Sequence, residues 1–109
     1  MSTTKVQNLH DAIAYQPGQV AHIPVLTSGA GAILLMAFDK GAALSEHFTP
    51  AEAFVQVLEG ELKFTVEGVP YTLKAGDYLT LTPGQKHSVE AIEPTRMLLT
   101  KLNVLPDRQ

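Results

Sequence analysis

Four histidines, His10, His22, His47 and His87, carry the most versatile side chains in this 109-residue sequence. An imidazole can ligate a metal, or give and take a proton with a reference pKa of about 6.5. The sequence has no Cys, which removes disulfides, thiolate metal sites and Cys nucleophiles together, so any metal must be held by N and O atoms. Two of the histidines stand in patterned surroundings. His47 follows Gly41-Ala42-Ala43-Leu44-Ser45-Glu46 and opens a stretch that runs through Phe48-Thr49-Pro50-Ala51-Glu52-Ala53 to Gly60. His87 closes the stretch that begins at Gly76-Asp77 and passes through Thr82-Pro83-Gly84-Gln85-Lys86. The other two read more plainly: His22, between Ala21 and Ile23 and just before Pro24, as a strand residue without function, and His10 as a solvent-facing residue of the N-terminal segment. Ser45 and Ser88 lie near the patterned histidines, but nothing supplies the carboxylate and oxyanion arrangement of an acyl-transfer site. A Gly-rich phosphate loop is also missing.

The elements that must position these histidines are short strands. Glycines recur at Gly60, Gly68, Gly76 and Gly84, a rhythm of strand plus turn. Between the first two, Leu62, Phe64 and Val66 alternate with Lys63 and Thr65, the pattern of a half-buried strand. Val69, Tyr71 and Leu73 repeat it beyond Glu67-Gly68, and the pair predicts a hairpin. Further strands are expected at Asp77 to Leu81, His87 to Ile92 and Arg96 to Val104, and upstream at Gln19 to Leu26, Ala32 to Phe38 and Ala53 to Leu58. One short helix is expected over Asn8 to Tyr15, with Asn8 as N-cap and Pro17-Gly18 as terminator. Eight or nine strands in so short a chain must close or double over, because a flat sheet would leave an apolar face and two edges in water. The expected fold is therefore all-β: a jelly-roll-like barrel of two antiparallel sheets, one domain over residues 1–109.

Composition agrees with a folded domain: 45% hydrophobic and 17% charged residues. The net charge is −3 and the eight Lys and Arg residues are scattered, so no basic face is available for a nucleic-acid partner. The longest small-or-apolar run, Gly29 to Phe38, is far below the roughly 18 residues of a membrane span, and the first residues lack the apolar core of a signal peptide. A soluble, cytoplasmic protein is expected. So small a domain gains from sharing a face with a second copy, which predicts a homodimer.

The two histidine stretches resemble the cupin superfamily, whose motifs read G-x5-H-x-H-x3or4-E-x6-G and G-x5-P-x-G-x2-H-x3-N. Residues 41–60 match the first in both glycines, in His47 and in total spacing. Residues 76–91 match the second in both glycines and in His87, with Thr82 at the proline position and Pro83 one place later. Together they span residues 41–91, about half of the chain. The resemblance implies a cupin barrel that holds a concave pocket with His47 and His87 facing each other. It also implies a site for a divalent metal such as Zn, Fe, Mn or Ni, held by two histidines and a glutamate of the first motif and a histidine of the second. In this sequence those four positions read His47, Thr49, Ala53 and His87. Glu52, one residue before the missing carboxylate, is the candidate substitute if a bulge turns it inward. Gln56 falls on the opposite face of a regular strand, and Thr49 can reach a metal only through water. The pocket wall is expected to include Met36, Thr49, Ala53, Val55, Phe64 and Met97.

Three readings of the pair stand side by side. The first is a small-molecule-binding cupin with a reduced His47/His87 site that holds a divalent metal weakly. In the second, a metal-free binding or sensing module uses the imidazoles as polar pocket contacts. The third is metal-free acid–base catalysis by one of the two histidines.

Overall fold

In the computed structural model, which describes residues 4–104, nine strands follow one another along the chain: β1 (Val20–Ser28), β2 (Gly31–Phe38), β3 (Ala43–His47), β4 (Glu52–Glu59), β5 (Glu61–Val66), β6 (Val69–Lys74), β7 (Tyr78–Leu81), β8 (His87–Ala91) and β9 (Thr95–Leu102). All pairings are antiparallel. One sheet has the order β1-β2-β9-β4-β7 and the other β3-β8-β5-β6. The alternation around Leu62 and Phe64 does what the pattern requires: both are buried, while Lys63 is exposed. The β5–β6 hairpin turns on Glu67 and Gly68, with φ of 49° and 81°. Both residues are left-handed, as in the two-residue turn whose twist matches that of paired strands.

Register decides what faces the space between the sheets. Ala53, Val55 and Val57 of β4 lie opposite Lys101, Leu99 and Met97 of β9, and those in turn lie opposite Ala32, Leu34 and Met36 of β2. Met36 then pairs with His22 of β1. Alternation puts this whole set on one face. Met36, Val55, Val57 and Met97 join Phe64, Leu62 and Val89 of the second sheet in one core.

The short helix expected over Asn8 to Tyr15 does not form, and no helix occurs among the described residues. Asn8 instead builds a single turn: its Oδ1 accepts from the His10 amide at 2.8 Å and its carbonyl from the Asp11 amide at 3.2 Å. An eight-residue stretch recovers little for the cost of helix nucleation, and an Asn side chain satisfies a local turn directly. The extended chain that follows buries Ile13 against Leu35 and Ala37 on the outer side of the larger sheet.

Polar contacts hold this strap down. Tyr15 Oη donates to Glu59 Oε2 at 2.7 Å, Arg96 Nη1 donates to the same oxygen at 2.7 Å, and His10 Nδ1 lies 2.6 Å from Oε1. Arg96 also donates to the Ile13 carbonyl from Nε and Nη2, and its guanidinium lies over the Tyr15 ring. Glu59 is the hub of the strap. Burial, then the bond to Glu59, pushes the Tyr15 phenol up to about 12. The Tyr15 and His10 contacts hold the Glu59 carboxyl below its ordinary value of 4.5. Stability from Tyr15 is therefore complete below the unfolded value near 10 and is lost as pH rises through about 12. Stability from Glu59 is present above pH 4.5 and is lost as pH falls through its lowered value. Spectrophotometric titration is expected to show a phenolate phase near pH 12 that Tyr15→Phe removes; a phase that persists in the variant contradicts the assignment.

Candidate functional site

Between the sheets lies a cavity of about 520 Å³. Its wall is mostly apolar, with Leu34, Met36, Val55, Leu99 and Met97 from the larger sheet facing Leu44, Phe64 and Val89 from the smaller. His47 ends β3 and His87 begins β8, and the ladder makes them direct cross-strand partners. Their rings meet edge to face, with centroids 4.3 Å apart and planes at 63°. Phe64 stacks on the other side of His87 at 5.7 Å.

Each imidazole is tied back to the chain two residues before it. His47 Nδ1 lies 2.7 Å from the Ser45 carbonyl, and His87 Nδ1 lies 3.0 Å from that of Gln85. A carbonyl can only accept, so Nδ1 carries the proton in both rings and Nε2 is the nitrogen left for a ligand. Burial lowers the pKa of His87, and the neighbouring His47 lowers it further, against the opposing effect of the Gln85 carbonyl. His87, only 6% exposed, is thus a neutral imidazole at neutral pH.

Met36, Thr49, Ala53, Val55, Phe64 and Met97 all line the cavity with the two histidines. Glu52 does not. The β4–β9 ladder runs without a shift from Glu52 to Val57, so no bulge turns Glu52 inward, and it stays exposed on the face opposite Ala53. The irregularity in this ladder lies at Val57/Glu59 instead. The Thr49 hydroxyl accepts from the Ala51 amide at 3.3 Å, closing the turn that leads into β4. Sequence reasoning missed two polar wall residues, His22 and Lys101. Alternation from Val20 to His22, and from Met97 through Leu99 to Lys101, is the signal that could have found them.

These residues do not fit the metal that the motifs imply. Such a site needs three or four protein donors. Here two imidazole nitrogens stand without a carboxylate, because Ala53 occupies its position and Lys101 lies directly across the ladder. Among the described residues, no group of three His, Cys, Asp or Glu side chains is placed to hold an ion.

Comparison with known proteins agrees with this fold. The family described as Cupin domain matches residues 34–101. None of the curated proteins matches the sequence. A conserved protein of unknown function from Streptococcus pyogenes superposes with a TM-score of 0.87 at 23% identity, over 97% of this chain and 93% of its own. A cupin superfamily protein from Desulfitobacterium hafniense gives 0.83 at 20% identity, over 95% and 94%. A Cupin 2 conserved barrel domain protein from Leptotrichia buccalis is 33% identical with a TM-score of 0.84, over 89% of this chain and 47% of that one, so the chain spans about half its length. The family match takes in both histidine stretches and most of the barrel, and with nine antiparallel strands in two sheets it shows that this chain belongs to the cupin superfamily.

Proposed function

We propose that this cupin binds a small, mostly apolar molecule in its cavity, with His47 and His87 as polar contacts rather than as ligands of a resident metal. One observation carries the reading: a cavity of about 520 Å³ with a mostly apolar wall is lined by His47 and His87, whose Nε2 atoms have no hydrogen-bond partner among the described residues. A cavity of that size and make-up, with few and well-placed polar groups, is the usual form of a small-molecule site. The imidazoles are held in place before any ligand arrives, which spares part of the ordering cost of binding. A homodimer belongs to the same proposal, on the ground that a domain of this size buries a modest share of its surface alone. Light scattering that returns a single-chain mass of 11.8 kDa overturns that part.

The test is thermal denaturation with a panel of small hydrophobic compounds in the presence of EDTA. A ligand that binds only the folded state must raise the melting temperature, and here the rise is expected to survive the chelator. Met36→Trp fills the cavity and is expected to abolish the rise without lowering the starting melting temperature by more than a few degrees. Elemental analysis of metal-loaded, dialysed protein supplies the opposing outcome: about one metal per chain in the wild type, lost in both His47→Ala and His87→Ala, would overturn the metal-free reading.

A further inference from the structure

We infer that the molecule in the cavity is an apolar carboxylic acid and that Lys101 binds its carboxylate at the mouth. This rests on the reading of the cavity as a small-molecule site and goes further by naming the class of ligand. Among the described residues, the cavity wall contains no Asp or Glu, and its titratable residues are His22, His47, His87 and Lys101. The whole chain carries a net charge of −3, so the wall reverses the sign of the protein around it. Low-dielectric walls of one sign focus the field on an entering ion of the other sign.

Lys101 is also placed to act on a ligand. On β9 it sits between Ala53 of β4 and Ala32 of β2, so neither neighbouring strand offers a side chain long enough to pair with it or cover it. Among the described residues, the ion pairs both fall on Glu59, and none takes Lys101. It borders the cavity and also an outer groove beside Thr49 and Pro50, which places it where the cavity opens. At the position where the motif calls for a glutamate to attract a cation, this chain has Ala53 with an ammonium across the ladder. The exchange turns a place for a cation into a place for an anion. One ammonium balances a single negative charge, which favours a carboxylate over a doubly charged phosphate, and the apolar wall beyond it takes the rest of the molecule.

The probes are 4-phenylbutyrate, its amide 4-phenylbutyramide and the amine 4-phenylbutylamine, titrated calorimetrically into the full chain. The acid is expected to bind about tenfold tighter than the amide, in line with a charge-assisted hydrogen bond, and the amine more weakly than either. Lys101→Met keeps the hydrocarbon stem and should bring the acid-to-amide ratio close to one, while Lys101→Arg should retain the preference. Ala53→Glu, which sets a carboxylate across from the ammonium, gives the same loss by another route should Lys101→Met fold poorly. Equal binding of acid and amide by the wild type, blocked by Met36→Trp, overturns the carboxylate inference and leaves the cavity reading standing. An acid preference that persists in both Lys101→Met and Ala53→Glu also overturns it. No binding of any probe overturns the cavity reading and the inference together.

Discussion

Gly60→Ala is expected to destabilise the protein by about 4 kcal/mol, a loss built from the strain of a left-handed non-glycine residue and the overpacking of a tight contact, each roughly 1–3 kcal/mol. Gly60 joins β4 to β5, where the chain leaves one sheet for the other, with φ of 92°. A β-carbon there would meet the Pro94 carbonyl oxygen and the Thr95 hydroxyl, and would lie 2.7 Å from Thr95 Cα. None of these can retreat. Thr95 is fully buried, its Oγ1 accepts from the Glu61 amide at 2.9 Å, and its one proton is shared between the carbonyls of Glu93 at 2.8 Å and Glu61 at 3.1 Å. The corner also sets Val55 and Phe64 on opposite walls of the cavity, so its distortion should reach the binding site. With about 4–8 °C of melting temperature per kcal/mol for a domain near this size, the fall should be at least roughly 16 °C. Calorimetry or circular dichroism measures it, and a variant within about 1 kcal/mol of wild type would show that the corner relaxes, contrary to the packing described.

How much of this was legible in the sequence depends on which physical signal each element carries. β5 could be read because one face packs on the core and the other meets water, which writes period two into the residues, and β6 carries the same alternation although only Leu73 of its apolar face is buried and Val69 and Tyr71 stay exposed. β3 could not: it is an edge strand with only Leu44 partly buried, so Ala43–His47 shows no alternation. The N-terminal strap was misread because Asn8 and Pro17 signal a helix by local rules, whereas Ile13 and Tyr15 are held by Leu35, Glu59 and Arg96, residues far away in the chain. His47 and His87 were found by motif spacing. His22 and Lys101 read as a strand residue and a scattered base; alternation places each on the face of its apolar neighbours, and the β1–β2–β9–β4 register brings that face to the cavity. Glu52 shows the same limit from the other side: adjacency in sequence to a ligand position meant the opposite face of a regular strand.

The largest gain of function should come from restoring the missing donors. In Thr49→His/Ala53→Glu/Lys101→Met, the new side chains stand at positions whose residues already line the cavity with His47 and His87. Each native imidazole is oriented by a carbonyl, at Ser45 and Gln85, which is the support a metal-ligating histidine normally needs. Loss of such outer support alone typically costs ~10–100-fold in affinity, so the return of two direct ligands should raise zinc affinity by about a thousandfold or more. Lys101 must be replaced as well, because its ammonium lies across the ladder from residue 53, where it would pair with the new carboxylate and repel the cation. The order expected from competition titration with a chromogenic chelator is triple variant above Thr49→His/Ala53→Glu, and that double variant above wild type. Wild-type protein that matches the triple variant would mean that His47 and His87 already form a sufficient site. Equal affinity of double and triple variants would mean instead that the Lys101 charge does not reach the cavity, which counts against the carboxylate site as directly as the ligand titrations do.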